Sequence, residues 1–242
     1  MGKLSKLIEK TDGFLLRCLG LRMSADMNGD PTRISQGVFE SSDYSSCPWD
    51  TVSVHDISIS MTYKDCRPSR LAASKQALEK YVRARLAISP ADRVAIVSFS
   101  DSARIEMPLT SISKAQSIID AVMKLKGDSG TDIAPGIKTA GIILKKARDD
   151  GGRRLQRILL LTDGRGGSPL SIANEVKSRG VLIDVIGIGG KRSAVDEALL
   201  RRVATTDSNG FTHYRFIKDA DSLVKHYQQL ATTSLVWRSG TR

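Results

Sequence analysis

The sequence predicts an α/β fold: a doubly wound, mostly parallel sheet with one short antiparallel edge strand and helices on both faces. Three observations carry this. Between residues 50 and 233, strand-like and helix-like runs alternate, the pattern of parallel strands joined by helical crossovers. Three of the strand-like runs are almost continuously apolar, as strands covered on both faces are. The 242 residues, 40% hydrophobic and 26% charged, suit one globular domain with an extension.

In chain order, residues 1–22 read as a basic amphipathic helix. Leu4, Leu7, Ile8, Thr11, Leu15, Cys18 and Leu19 fall at helical spacing, and Lys3, Lys6, Lys10, Arg17 and Arg22 supply charge. Gly13 weakens that helix by about 1 kcal/mol. Residues 3–22 either pack on their own domain or dock on a partner or a membrane surface. Lys6 stands where a myristoylation signal wants Ser or Thr. Residues 23–48, rich in Ser, Asp and Gly, read as a linker or irregular wrap.

The domain proper is expected over 49–234, followed by a tail at 235–242. Its strands are TVSVHDI (51–57), RVAIVSFS (93–100), RILLLTD (157–163) and VLIDVIGIG (181–189). A short edge strand is expected at ARIEMPL (103–109) and a late strand at HYRFI (213–217). Helical patterns fall at 69–87, 113–126, 133–149, 169–179, 194–204 and 219–233.

The first strand poses a problem. Val52 and Val54 are apolar at even positions, but from Asp56 onward the even positions are polar and the odd ones apolar. A strand does not keep one buried face through such a flip, so the strand is expected to end near Asp56. Asp56, Ser58 and Ser60 then follow it in HDISISM; Asp163 ends ILLLTD and precedes Gly164; Thr131 lies in GDSGTD, before a helix starting near Ile133. In an open α/β sheet, ligands gather beyond the carboxyl ends of the strands, where strand order reverses, and all three segments belong to that edge. Two carboxylates and three hydroxyls, with no His or Cys among them, form a hard-oxygen set suited to Mg²⁺, Mn²⁺ or Ca²⁺ rather than zinc. Two adjacent acids repel, and a divalent cation removes that cost.

The set Asp56-x-Ser58-x-Ser60, Thr131 and Asp163-Gly164 resembles the metal-ion-dependent adhesion site of von Willebrand factor A domains, similar to integrin inserted domains. The resemblance covers roughly residues 50–233 and includes VAIVSFSDSARIEMPLT (Val94 to Thr110), SGTDIAPGI (Ser129 to Ile137) and ILLLTDG (Ile158 to Gly164). It implies a Rossmann-like fold and a protein–protein interaction module that is not an enzyme. Ser58 and Ser60 would ligate the metal through their hydroxyls, Thr131 in the ligand-bound state, and Asp56 and Asp163 directly or through water. A free position on the metal, expected to be Mg²⁺ with Mn²⁺ or Ca²⁺ as alternatives, would accept a Glu or Asp from a partner protein. As in switching relatives, ligation would draw Thr131 toward the metal and shift the last helix, 219–233. Two positions depart from the common pattern: Ile59 stands where a glycine is usual between the serines, and Ser129 where a glycine is common. Asp132 is expected to cap the following helix, and Asp101 and Asp65 are expected in turns.

Other chemistries find less support. A haloacid-dehalogenase-like phosphatase needs a second acid where Ser58 stands, and there is no G-x-S-x-G nucleophile elbow. GIGGKRS (Gly187 to Ser193) fails as a phosphate loop, because Val185 occupies the first glycine position and Arg192 replaces the Ser or Thr. His55 adjoins the candidate site but is expected to be packed or solvated. The net charge of +11 points to acidic partners, nucleic acid or an anionic surface. Lys145, Lys146, Arg148, Arg153, Arg154 and Arg157 cluster in sequence as a candidate phosphate-binding patch, with Arg201 and Arg202 in addition. With 5% aromatic residues and no stacking motif, nucleic acid is not the expected partner.

Cys18, Cys47 and Cys66 are odd in number and lack metal-ligand spacing, which favours a reducing compartment; a Cys47–Cys66 disulfide stays open. The run FLLRCLGL is too short and too charged for a secretion signal. The expectation is therefore a cytoplasmic adaptor, peripheral to a membrane if residues 3–22 dock there. The resemblance implies an AAA+ ATPase-linked or signalling assembly as its setting.

Overall fold

The computed structural model of the protein describes residues 47–149, 154–207 and 210–232. The helix expected over 1–22, most of the linker at 23–48, and the tail at 235–242 lie outside the described residues.

Six strands, β1 (Trp49–Asp56), β2 (Arg93–Phe99), β3 (Ala103–Ser111), β4 (Leu155–Thr162), β5 (Leu182–Ile188) and β6 (Tyr214–Ile217), form one sheet in the order β3-β2-β1-β4-β5-β6. All neighbouring pairs are parallel except β2–β3, which is antiparallel. Strand order reverses at β1: the chain runs outward through β2 and β3, then returns to place β4 on β1's other side. The crevice between the carboxyl ends of β1 and β4 is thus the topological switch point.

The helices are α1 (Arg70–Ile88), α2 (Ala115–Met123), α3 (Ile133–Asp149), α4 (Leu170–Ser178), α5 (Glu197–Val203) and α6 (Ala220–Thr232). Leu71, Leu78 and Val82 of α1, Ile118 and Val122 of α2, and Leu223 and Tyr227 of α6 pack with Ile96, Leu159 and Ile186 on one face of the sheet. Ile133, Ile137 and Leu144 of α3, Val176 of α4 and Leu200 of α5 pack with Val54, Val97, Leu160 and Val185 on the other. Burial of both faces explains the apolar runs of β2, β4 and β5.

β1 is also buried on both faces over all eight residues, although it alternates polar and apolar. Val52 and Val54 enter the α3 face. Thr51, Ser53 and His55 point the other way and are paired rather than wet: Thr51 Oγ1 lies 3.1 Å from Tyr81 Oη, Ser53 Oγ 2.8 Å from His55 Nε2, and His55 Nδ1 3.4 Å from Ser74 Oγ. The strand ends at Asp56 as expected, and pairing with α1 lets its polar side chains share the core.

The edge strand is also not short. β3 runs nine residues, the longest strand, because it pairs along the full length of β2, from Arg93–Ser111 to Phe99–Ala103. Pro108 falls where the register with β2 shifts, between Met107 and Thr110, an irregularity that an edge strand tolerates. Two expected helices are shorter and preceded by 3-10 turns, Ile112–Lys114 and Arg192–Ala194. The Asp196 side chain accepts from Leu199 N–H at 3.0 Å and starts α5 late. Where α6 ends, two buried arginines satisfy its last carbonyls: Arg85 donates to Ala231 O (2.9 Å) and Arg157 to Leu230 O (3.2 Å).

Candidate metal site

Asp56 is the last residue of β1, fully buried and aligned with Phe99 of β2. Its Oδ1 accepts from Ser58 N–H at 2.9 Å, an Asx-type turn that bends the chain off the strand. The chain then enters a 3-10 turn over Ile59–Thr62, with Met61 N–H donating to Ser58 O at 2.9 Å. Ile57 and Met61 are buried and hold the turn on the core, whereas Ile59 is 57% exposed. The turn sets the Ser58 and Ser60 hydroxyls side by side, 3.0 Å apart. The phase flip in HDISISM is thus a strand end followed by a tight turn.

On the neighbouring strand, Thr162 ends β4 and donates its hydroxyl to Asp56 Oδ2 at 2.6 Å, while accepting from Gly164 N–H at 3.0 Å. Asp163 follows, buried; its Oδ1 accepts from Arg165 N–H at 3.2 Å and its Oδ2 from Arg70 Nη1 at 3.1 Å. The Thr131 loop is tied to the same edge by Asp128 N–H to Ile57 O (2.7 Å) and Asp132 N–H to Ser100 O (2.7 Å). It also presses on the loop after β4: a Cβ built on Gly166, whose φ is +137°, would lie 2.0 Å from Thr131 O. Asp132 accepts from Ala134 N–H at 3.0 Å and caps α3 as expected. The three segments holding Asp56, Ser58, Ser60, Thr131 and Asp163 thus meet at the switch point.

Burial pushes the Asp56 carboxyl up to about 6, against hydrogen bonds from Ser58 and Thr162 that lower it; the charge of Asp163 raises it further. This is the electrostatic situation a divalent cation relieves. Donor spacing fits a small cation: the serine oxygens, 3.0 Å apart, match the edge of about 3.0 Å of an octahedron with bonds near 2.1 Å. Among the described residues, no group of three or more His, Cys, Asp or Glu is placed to hold a metal. The candidate set depends on its hydroxyls.

Several residues around the site escaped the sequence reading. Thr162 is the donor that fixes Asp56, and its place before Asp163 in TDG was the available signal. Asp65 lies in a turn as expected, but its carboxylate also accepts from Arg70 Nε and Nη2 and from Gly190 N–H at 2.8 Å. Arg70 holds the Asp65 carboxyl down at about 2. His55 is buried among Ser53 and Ser74, on the α1 side of the sheet. Cys66 is a buried thiol not bonded to Cys47.

Three cations of the basic cluster around residues 145–157 are engaged within the fold. Arg157 is buried, 3.0 Å from Asp184, with Trp49 stacked on its guanidinium. Arg154 pairs with Asp50 at 2.6 Å, and Arg148 donates to Gln156 Oε1 at 2.8 Å. Arg153 lies outside the described residues. Arg148, Arg154 and Arg157 thus have partners that sequence proximity does not reveal, while Lys145 and Lys146 are exposed.

Comparison with known proteins agrees with this architecture. The family model for the von Willebrand factor type A domain matches residues 50–229. "Uncharacterized protein YfbK" of Escherichia coli is 29% identical over 140 residues, covering 55% of this chain and 24% of its own length. Among solved structures, the hypothetical protein BatB from Bacteroides thetaiotaomicron superposes with a TM-score of 0.61 at 21% identity, covering 76% of this chain and 97% of that one. Proximal thread matrix protein 1 from the mussel byssus, solved with a zinc-occupied MIDAS motif, gives 0.62 at 19% identity, covering 77% and 48%.

Proposed function

Because the chain belongs to the von Willebrand factor type A domain family, we propose that it binds a partner protein through a divalent cation held by Asp56, Ser58, Ser60, Thr131 and Asp163. The observation that carries this reading is the crevice itself. Two buried carboxylates, at the ends of adjacent strands, and a pair of serine hydroxyls 3.0 Å apart occupy the switch point of the sheet. Mg²⁺ is the cation expected there, with Mn²⁺ or Ca²⁺ as alternatives; a zinc-occupied MIDAS motif in a structural neighbour favours a divalent ion at this place in the fold. When bound, the cation supplies a position at which a carboxylate oxygen of the partner is stabilised.

The chain's own residues prepare that position. Ser58 N–H and Thr162 O–H fix both oxygens of Asp56, and Arg165 N–H and Arg70 fix those of Asp163. At the rim, Ile59 is 57% and Tyr63 54% exposed, offering apolar contact beside the acid. Lys64, Arg67, Arg165 and Lys191, sequence neighbours of Asp65, Asp163 and Gly190, are exposed and carry charge complementary to an acidic partner. The setting proposed is a cytoplasmic assembly, AAA+ ATPase-linked or signalling. No described helix is long and apolar enough to cross a membrane.

Calorimetric titration with MgCl₂ and MnCl₂ tests the site. Wild type should bind one cation, with heat abolished in Asp56→Ala and strongly reduced in Ser58→Ala, while both variants keep a wild-type circular dichroism spectrum. Equal binding by wild type and both variants sinks the proposal.

A further inference from the structure

Arg70 opens α1, yet its guanidinium lies inside the site rather than in solvent, with its side chain 4% exposed. Nε and Nη2 donate to the two oxygens of Asp65, and Nη1 donates to Asp163 Oδ2 at 3.1 Å. The Tyr63 ring covers it, 5.5 Å from centroid to the guanidinium carbon. Asp65 is anchored by Gly190 N–H, after β5. One cation therefore ties together the turn after β1, the end of β4 and the end of β5.

A staple for the helix start would need only Asp65, which already neutralises Arg70 in a two-pronged pair. The remaining arm is spent on Asp163. A guanidinium has no lone pair to give a metal and cannot lose its charge. It occupies an acceptor site of Asp163 Oδ2 and places a fixed positive charge beside the crevice. Asp56, Asp163 and Asp65 sum to three negative charges, and Arg70 reduces the net to two.

We propose that Arg70 is a positioning residue that restrains cation affinity, holding Asp163 by Oδ2 so that the cation binds firmly only when an added carboxylate completes its shell. The proposal rests on the metal-site reading above. Its physical content is reciprocal coupling: Arg70 weakens the cation's hold in the free protein, and an acidic ligand restores the lost negative charge. Tyr63, stacked on the guanidinium and exposed on its other side, gives a partner a surface that touches this switch directly.

The test is calorimetric titration of the full chain with MnCl₂, with and without saturating acetate as the carboxylate probe, in wild type, Arg70→Lys, Arg70→Met and Asp56→Ala. Acetate should tighten Mn²⁺ binding in wild type. Arg70→Met should bind Mn²⁺ about tenfold or more tightly than wild type and lose most of the acetate effect, since a nearby positive charge has been removed. Arg70→Lys should stay within about threefold of wild type, because charge is kept while the fork is lost. A structural staple would give the opposite sign, with weaker binding in both variants. If wild type binds Mn²⁺, Asp56→Ala does not, and Arg70→Met binds no tighter, this inference is overturned while the site reading stands. If Arg70→Met does not fold, a loss of about tenfold or more in Arg70→Lys overturns it alone. No Mn²⁺ binding by wild type overturns both.

Discussion

Gly166→Ala is the sharpest probe of whether Thr131 belongs to the site. Gly166 has φ of +137°, a conformation essentially reserved for glycine, and a Cβ there would stand 2.0 Å from Thr131 O, 2.9 Å from its carbonyl carbon and 3.1 Å from its Cβ. Backbone strain of this kind costs about 1–3 kcal/mol. The overlap adds to it, because the obstacle is a backbone carbonyl that must retreat by about 1.4 Å, from 2.0 Å to 3.4 Å, to reach ordinary contact. In a domain of this size, each kcal/mol lowers the melting temperature by about 2–4 °C. Gly180→Ala is the matched control: φ is +79°, but nothing lies within 4 Å of its Cβ, so it carries only left-handed strain of about 1–2 kcal/mol. Calorimetric Mn²⁺ titration of both variants, with melts alongside, separates displacement of Thr131 from general destabilisation. Gly166→Ala should weaken the cation by about tenfold or more through a misplaced hydroxyl, and Gly180→Ala should leave affinity unchanged. Wild-type affinity in Gly166→Ala, or equal losses in both, would refute the assignment of Thr131.

Three further outcomes are expected. The Asp56 carboxyl, pushed up to about 6, takes a proton below that pH, so Mn²⁺ affinity should be full above it and fall about tenfold per pH unit below it; a flat profile down to the ordinary carboxylate range would contradict the role of Asp56. Burial, with Lys75 nearby, lowers His55 from 6.5 to about 4. The native state therefore resists a proton that the unfolded chain accepts: stability is complete above 6.5 and lost as pH falls toward 4, by about 3 kcal/mol in all. His55→Gln should flatten that acid limb in urea melts, although His226, also lowered to about 4, keeps part of it. Breaking the buried Arg157–Asp184 pair by Arg157→Met should cost about 3–5 kcal/mol, and the double variant Arg157→Met/Asp184→Leu should cost less than the sum of the singles, as read from chemical denaturation.

The fold was legible where burial writes a simple pattern. β2, β4 and β5 are covered on both faces by aliphatic residues, so their runs are nearly unbroken and their bounds fell close to expectation. β1 broke that rule: after Trp49 its buried odd positions are Thr51, Ser53 and His55; Tyr81 and Ser74 of α1 pair with Thr51 and His55, and His55 pairs with Ser53. Periodicity records which positions are apolar, not whether a polar one has a partner. The candidate site was legible for a different reason. Asp56, Ser58 and Ser60 are adjacent in sequence because one Asx turn and one 3-10 turn deliver all three. Thr131 and Asp163 stand at a helix entry and a strand end, which an alternating α/β pattern places at the same edge. Arg70 and Asp65 were missed because an arginine opening a helix reads as solvated until the ends of β4 and β5 are brought over it.

The same blindness affects the use of net charge. A formal +11 invites an electrostatic account of partners, but several arginines are paired with acids within the fold, and each such pair adds nothing to the net charge. Arg70, Arg85 and Arg157 are buried against Asp65 and Asp163, Asp92, and Asp184. Arg93 and Arg154 both hold Asp50, and Arg192 is engaged by Glu197. These pairs knit strand ends and helix ends together, and salt screens buried pairs little. The uncompensated positive charge lies on other residues; among them Lys64, Arg67, Arg165 and Lys191, sequence neighbours of Asp65, Asp163 and Gly190, are exposed. The field of such exposed cations is sensitive to ionic strength. It acts on the same acidic ligand that the cation would capture, whereas the buried arginines act on stability and, through Arg70, on the cation itself.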